Sequence, residues 1–157
     1  MTLSELQFSH SQFFVFDSEV SAVGCHWTER HFKQGFARRD GTVSVRTLLE
    51  FGAADVAVTV GAPASVEAYG RVLAVPLLIR SASLSIEGPE EQPGIRHTAI
   101  PNGHYRVTIA QRAIDETRED VHIWVEKSDV PIARSQLLVV DEDLDPLWPL
   151  LETANEP

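Results

Sequence analysis

The chain has 157 residues, of which 43% are hydrophobic, and its 13 Lys and Arg against 23 Asp and Glu give a formal net charge of −10. This size is typical of one globular domain, and the negative charge disfavours direct binding to nucleic acid or an anionic membrane and favours a cationic partner. The chain has a single cysteine, Cys25, and no signal-peptide pattern, and its longest apolar run, Val72 to Ile79, is short. These features predict a cytoplasmic protein without a membrane segment.

Short runs rich in Val, Ile, Leu and Phe recur between turn residues along the chain, which is typical of an all-β sandwich or barrel. Apolar and polar residues alternate most clearly from Val56 to Val60, from Tyr105 to Ile109 and from Val121 to Val125, as expected for half-buried antiparallel strands. We predict an antiparallel β-sandwich whose strands lie near residues 6–16, 42–49, 54–60, 70–80, 82–87, 95–99, 104–112, 121–127 and 134–140.

Two local signals interrupt this strand pattern. The first predicts one short helix near residues 28–35, because Thr28 can accept a hydrogen bond from a backbone N–H two or three residues on and Gly35 can take the left-handed conformation that ends a helix. The second is Pro76, which lies inside the apolar segment 70–80 and has no N–H to donate. We therefore expect a bulge or an unpaired position at Pro76.

The acidic residues are unevenly distributed. Residues 141–157 carry six acidic side chains and no Lys or Arg, which leaves a charge of −4 on the first 140 residues. We therefore divide the chain into a single β-sandwich domain, residues 1–140, and an acidic C-terminal arm, residues 141–157.

The sequence carries no linear catalytic motif. A nucleophile elbow, a phosphate-binding glycine-rich loop, an HExxH pair and a Cys-x-x-Cys pair are all absent. Zinc needs three or four convergent ligands, and the spacing of the six histidines does not support such a group; they are His10, His26, His31, His97, His104 and His122. We predict no catalysis, no bound metal and no cofactor.

Three separated blocks of residues indicate a family. The first comprises Trp27-Thr28, Gly35-Phe36-Ala37 and Asp40-Gly41, the second Tyr69 and Val75-Pro76, and the third Ile100-Pro101-Asn102-Gly103-His104-Tyr105 and Val107-Thr108, with Gln12-Phe13 and Val15-Phe16 near the start. In this order and spacing they resemble the competence protein J (ComJ) family, inhibitors of DNA-entry nuclease. The resemblance implies a cytoplasmic, immunity-type protein that complexes a DNA nuclease and catalyses no reaction. The sequence after Asp129 has no recognised counterpart.

An acidic connection between two predicted strands, residues 115–120, is the candidate partner-binding site. A nuclease offers Lys or Arg and a metal ion to the phosphates that it cleaves, so carboxylates at phosphate-like spacing can occupy its groove. A loop bounded by strands is also better pre-organised than a tail, which lowers the ordering cost of binding. We assign the contact to Asp115, Glu116, Glu119 and Asp120, with Glu90-Glu91 and Asp141-Glu142-Asp143 as the alternative acidic clusters.

Two other functions stay open at the level of the sequence. One is a small-ligand-binding or enzymatic β-sandwich whose site is assembled around His104, Tyr105 and His122, because a site built from distant residues leaves no linear motif. An apolar cavity with convergent His and Tyr side chains would favour it, whereas a convex acidic ridge would favour the inhibitor. The other is a purely structural or oligomerising domain.

Overall fold

Two β-sheets face each other in the computed structural model, which describes residues 2–89 and 96–157, with only the backbone at 2–4 and 96. The elements in chain order are β1 (Thr2–Phe8), β2 (Gln12–Asp17), α1 (Glu29–Gln34), β3 (Phe36–Arg39), β4 (Thr42–Arg46), β5 (Gly52–Val60), β6 (Arg71–Ile79), β7 (Ser83–Glu87), β8 (Arg96–Ala99), β9 (Gly103–Ala113), β10 (Arg118–Ser128) and β11 (Gln136–Val139). The predicted all-β sandwich with one short helix is confirmed.

The sheets differ in size and share one core. The first has the strand order β1-β5-β10-β9-β6-β11, and the second has the order β3-β4-β2-β7-β8. All described neighbouring strands are antiparallel except β5 and β10, which run parallel with Val56 opposite Val121. Apolar side chains of both sheets, such as Phe13 and Ile109, pack together between them.

The predicted strand 6–16 consists of two strands in different sheets. The chain turns between them at His10, whose φ of 56° lies in the left-handed region, so β1 joins the first sheet and β2 the second. Phe8 and Phe13 both face the core although they are separated by an odd number of positions. One continuous strand would direct one of these rings into solvent, because successive side chains alternate between faces.

Helix α1 lies where its capping residues predict it. Thr28 Oγ1 accepts a hydrogen bond from the His31 N–H at 3.4 Å, and Gly35, with φ 91°, donates its N–H to the His31 carbonyl at 3.0 Å. Nδ1 of His31 accepts from the Thr28 N–H at 3.1 Å, so Nε2 carries the hydrogen that it donates to the Thr153 carbonyl at 2.9 Å. The chain leaves the helix directly into β3, a strand that the sequence pattern did not predict.

Pro76 occupies an edge position of β6, as its missing N–H requires. On one side β6 pairs with β9, where Pro76 lies opposite Arg106, and on the other side β11 pairs only with residues 72–74. On this unpaired side the Pro76 carbonyl accepts a hydrogen bond from Arg38 Nε at 3.3 Å. Because the N–H and C=O of one strand residue point the same way, no ladder bond is lost, and the predicted unpaired position is confirmed.

Residues 141–157 pack along α1 and β3. Leu144 and Leu150 are buried, and Leu150 belongs to the common core of the two sheets. Gln34 binds this segment through two hydrogen bonds with the backbone of Leu151, at 2.9 and 3.0 Å. The acidic arm therefore lies against the sandwich and contributes to its core.

Candidate partner-binding surface

One end of the sandwich brings together strand ends from distant parts of the sequence. In the first sheet β1, β9 and β11 end there, and β5, β6 and β10 begin there, as the registers of the strand pairs require. In the second sheet β4 ends there, and the carbonyl of Arg46 accepts hydrogen bonds from Arg71 Nη1 at 3.0 Å and Gln111 Nε2 at 2.9 Å. We call this region the acidic end and define it as residues 46–52, 111–118 and 139–143.

The connection between β9 and β10 forms the tip of the acidic end. Asp115 and Glu116 are exposed there, next to Ile114, which is 51% exposed. Asp115 Oδ1 accepts hydrogen bonds from the Thr117 N–H at 2.8 Å and the Thr117 hydroxyl at 3.0 Å, and these bonds lower the pKa of Asp115. The tip is thus closed by its own side chains, and the Asp115 carboxylate is ionised at neutral pH.

Glu119 lies inside the sandwich, which corrects its assignment to the binding surface. Strand β10 begins at Arg118, earlier than predicted, so Glu119 occupies a strand position on the same face as the buried Val121. The Glu119 side chain is 0% exposed, and its Oε2 accepts a hydrogen bond from the Leu49 N–H at 2.8 Å. Burial raises the pKa of this carboxyl group.

Asp120, the next residue, lies on the outer face of the first sheet. It is half-buried and forms a salt bridge with Arg112 on the neighbouring strand. Of the four carboxylates assigned from the sequence, Asp115 and Glu116 are therefore the two that are exposed and carry no salt bridge within residues 2–89 and 96–157. The carboxylates of Asp115 and Glu116 are thus accessible from solvent.

Three further acidic residues lie at the acidic end. Glu50, Glu142 and Asp143 are exposed and form no salt bridge with any described residue. The alternative cluster 141–143 is thus part of the same surface as the tip. The other alternative, Glu90-Glu91, lies outside the described residues.

The arginines at or next to the acidic end make contacts within the protein. Arg71 is fully buried and pairs with Asp141 at 3.0 Å. Arg118 pairs with acidic residues on β1 and β5, and the guanidinium of Arg46 lies 3.6 Å over the ring of Phe32. Arg46 also attracts the carboxylate of Asp143. Acidic residues outnumber Lys and Arg at this end, which therefore offers a negative surface.

Phe51 is exposed at the side of the acidic end where β1, β5 and β10 meet. Its side chain is 69% exposed and borders an open groove of about 390 Å³ between the 46–52 loop, the end of β1 and the start of β10. The adjacent Gly52 has φ 153°, and a Cβ there would lie 2.4 Å from the Thr117 carbonyl oxygen, so glycine allows the two loops to touch. Sequence reasoning missed Phe51 because aromatic residues are usually buried.

The structure does not bring together the three residues of the alternative small-ligand site. Tyr105 is buried in the core, whereas the adjacent His104 points to the other face of β9. His104 lies opposite Ser128 on β10, six residues and therefore roughly 20 Å from His122. His122 instead stacks on Trp124, with ring centroids 3.8 Å apart. That proposed site is therefore wrong.

We also searched the described parts of the chain for groups of metal-binding side chains and for hydrogen-bonded His–Ser pairs. Across residues 2–89 and 96–157, no three His, Cys, Asp or Glu side chains are placed to hold a metal ion. His97 Nδ1 hydrogen-bonds to Ser85 Oγ at 2.7 Å and to Ser18 Oγ at 3.2 Å, but Ser85 is fully buried and out of reach of a substrate. The helix in these ranges, α1, has six residues, too few to cross a bilayer.

A comparison with protein families matches most of the chain. The model of the family described as Competence protein J (ComJ) matches residues 5–132. The chain belongs to the ComJ family. The resemblance carried by the blocks around Trp27, Val75-Pro76 and Pro101 to Tyr105 is thereby confirmed.

Solved structures resemble this ComJ-family chain at low sequence identity. The crystal structure of ComJ from Bacillus subtilis, an inhibitor of the DNA degrading activity of NucA, superposes with a TM-score of 0.71 and 20% identity, covering 82% of this chain and 96% of that chain. A structure described as crocagin biosynthetic gene J has a TM-score of 0.46 and 14% identity, covering 79% and 98%. No curated protein matches the sequence. The first likeness shows a shared fold.

The ComJ match covers only part of the acidic end. It includes the 46–52 loop and the tip at 114–117, and it stops before residues 139–143. The arm that carries Glu142 and Asp143 therefore lies outside the matched region, although Leu150 of the same arm reaches the common core. Two exposed acidic residues of this surface lie beyond the part shared with the ComJ family model.

Proposed function

We propose that this ComJ-family chain is an immunity-type inhibitor that binds and blocks a DNA-entry-type nuclease in the cytoplasm and catalyses no reaction itself. The observation that carries the proposal is the family match over residues 5–132. The fold shared with B. subtilis ComJ, an inhibitor of the DNA degrading activity of NucA, supports it. The net charge of −10 favours a basic protein surface, and not DNA, as the target.

The acidic tip suits occlusion of a nuclease groove. Such a groove binds phosphates through Lys, Arg and a metal ion, and the exposed carboxylates of Asp115 and Glu116 carry the same sign of charge as a phosphate. Because the Thr117 hydrogen bonds already close the loop, little conformational entropy is lost on binding. DNA would then be excluded by competition for the groove.

Electrostatic attraction should also set the rate of association. Surface charges reach about 8 Å at physiological ionic strength, so added salt should slow association of the inhibitor with a basic nuclease. Dissociation should change less, since exposed charges act mainly on the encounter.

A double substitution at the tip tests the proposal against a matched control. Asp115→Asn with Glu116→Gln removes two charges at the tip, and Glu19→Gln with Asp129→Asn removes the same two residue types at the opposite end, where both are exposed. Purified variants are titrated into plasmid cleavage by a metal-dependent DNA nuclease of the same host. We expect the tip variant to inhibit about tenfold less well, equivalent to about 1.4 kcal/mol, and the control to act like the parent.

Each failure of this experiment has a separate meaning. Equal behaviour of the tip variant and the control would reject the tip as the binding site. Failure of the parent to bind or inhibit any nuclease of its host would reject the inhibitor function. Both variants should keep the melting temperature of the parent, because exposed carboxylates contribute little to folding.

A further inference from the structure

Phe51 is, among the described residues, the most exposed large hydrophobic side chain, at 69%. Aromatic residues are enriched at the centres of protein interfaces, where a few of them carry most of the binding free energy. We propose that Phe51 is the apolar anchor through which the acidic end docks on its basic protein partner. This inference rests on the proposed function and adds the residue that holds the partner in place.

The loop that carries Phe51 is fixed before any partner binds. The Thr47 N–H donates to the Ser11 carbonyl at 2.9 Å, and the Ser11 N–H donates to the Glu50 carbonyl at 2.8 Å. From the core side, the buried Glu119 accepts a hydrogen bond from a backbone N–H of the loop at 2.8 Å. The ring is therefore presented by an ordered backbone, which lowers the entropy lost on docking.

Carboxylates from three chain segments lie at the same end as this anchor. Glu50 precedes it in the loop, and Asp115 and Glu116 lie next to Thr117 across the groove. Glu142 and Asp143 follow β11 at the opposite edge of the first sheet and extend the negative charge of this end. An apolar anchor with an acidic rim fits an apolar pocket bordered by Lys and Arg. A second copy of this chain would oppose like charges at this end, so the occupant is a basic partner.

Trp148 provides a matched control for Phe51. Its side chain is 65% exposed, close to the value for Phe51, and it lies on the arm outside the ComJ match. The adjacent Pro149 carbonyl accepts a hydrogen bond from Arg30 of α1, which places Trp148 beside the helix and away from the groove. Truncation of either ring to alanine removes a similar exposed aromatic surface.

The experiment measures binding of the parent, Phe51→Ala, Phe51→Leu and Trp148→Ala to the host nuclease that the parent inhibits, by surface plasmon resonance. We expect Phe51→Ala to raise the dissociation constant on the order of 30-fold, mainly through faster dissociation. Phe51→Leu keeps an apolar side chain and should recover most of the affinity. Trp148→Ala should stay within about twofold of the parent, and all variants should keep the parent's melting temperature, since both rings are exposed.

Two outcomes would reject Phe51 as the anchor and leave the proposed function intact. One is a Phe51→Ala variant that binds within about twofold of the parent while the Asp115→Asn, Glu116→Gln variant is impaired. The other is a larger loss for Trp148→Ala than for Phe51→Ala, which would move the anchor to the arm. A parent protein that binds no nuclease of its host would instead reject the proposed function, and the anchor with it.

Discussion

Substitutions of the buried Glu119 test how its carboxyl group is held beneath the 46–52 loop. Glu119 Oε1 and Gln111 Oε1 are both buried acceptors without a donor in the described part of the chain. The Gln111 amide cannot turn round, because its Nε2 donates to the Arg46 carbonyl at 2.9 Å. The nearby charge of Arg71 is already matched by Asp141. A neutral carboxylic acid on Glu119, donating to Gln111, satisfies this arrangement.

The substitution Glu119→Gln should therefore be tolerated, and Glu119→Ala should not. Glutamine keeps an acceptor for the Leu49 N–H and places an N–H donor against Gln111. The free energy of unfolding of the Glu119→Gln variant should therefore lie within about 1 kcal/mol of that of the parent at pH 5. Alanine leaves the Leu49 N–H buried without an acceptor, which costs about 1–3 kcal/mol, and adds a cavity. We expect a loss of about 3 kcal/mol in total.

The contribution of Glu119 to the stability of the folded protein should decrease as the pH rises. Burial raises the pKa of Glu119 in the folded protein above the value in the unfolded chain, which is about 4.3. The contribution of Glu119 to stability is therefore complete below about pH 4.3 and is lost as the pH rises through the folded pKa. Each unit of elevation corresponds to about 1.4 kcal/mol. The parent should lose stability relative to Glu119→Gln, which does not titrate, as the pH rises.

Urea unfolding of the parent and both variants at about pH 5 and pH 8 measures these differences. At pH 8 we expect Glu119→Gln to be at least as stable as the parent. If Glu119→Gln were less stable than the parent by more than about 2 kcal/mol at pH 8, Glu119 would be ionised and paired with Arg71, and the neutral-acid reasoning would be wrong.

Two other substitutions probe the same end. Gly52→Ala should lower the free energy of unfolding by about 2 kcal/mol or more, because its Cβ would meet the Thr117 carbonyl oxygen at 2.4 Å and its φ of 153° is strained for alanine; an unchanged melting temperature would contradict this close approach. Asp141→Asn should cost about 3 kcal/mol by chemical denaturation, because it leaves the charge of the fully buried Arg71 uncompensated. A loss below about 1 kcal/mol would mean that another group balances Arg71.

Local chemistry determined the parts of the fold that the sequence predicted. The helix at 28–35 was predictable because Thr28 and Gly35 act on backbone groups within four residues of themselves. Alternating side chains marked most strands, since the period of two follows from the pleat alone. The blocks around Trp27, Val75-Pro76 and Pro101 identified the ComJ family for the same reason, because residue order carries a family pattern without reference to contacts.

Only the tertiary structure decided how these elements meet. Alternation does not encode strand direction, so the parallel pairing of β5 with β10 could not be inferred. It also shows which residues share a face but not where a strand begins, which is why Glu119 was assigned to the surface when it supports the 46–52 loop from within. The acidic end itself joins loops separated by up to about ninety residues, and only long-range pairing and a shared core bring such distant carboxylates to the same end of the sandwich as Phe51.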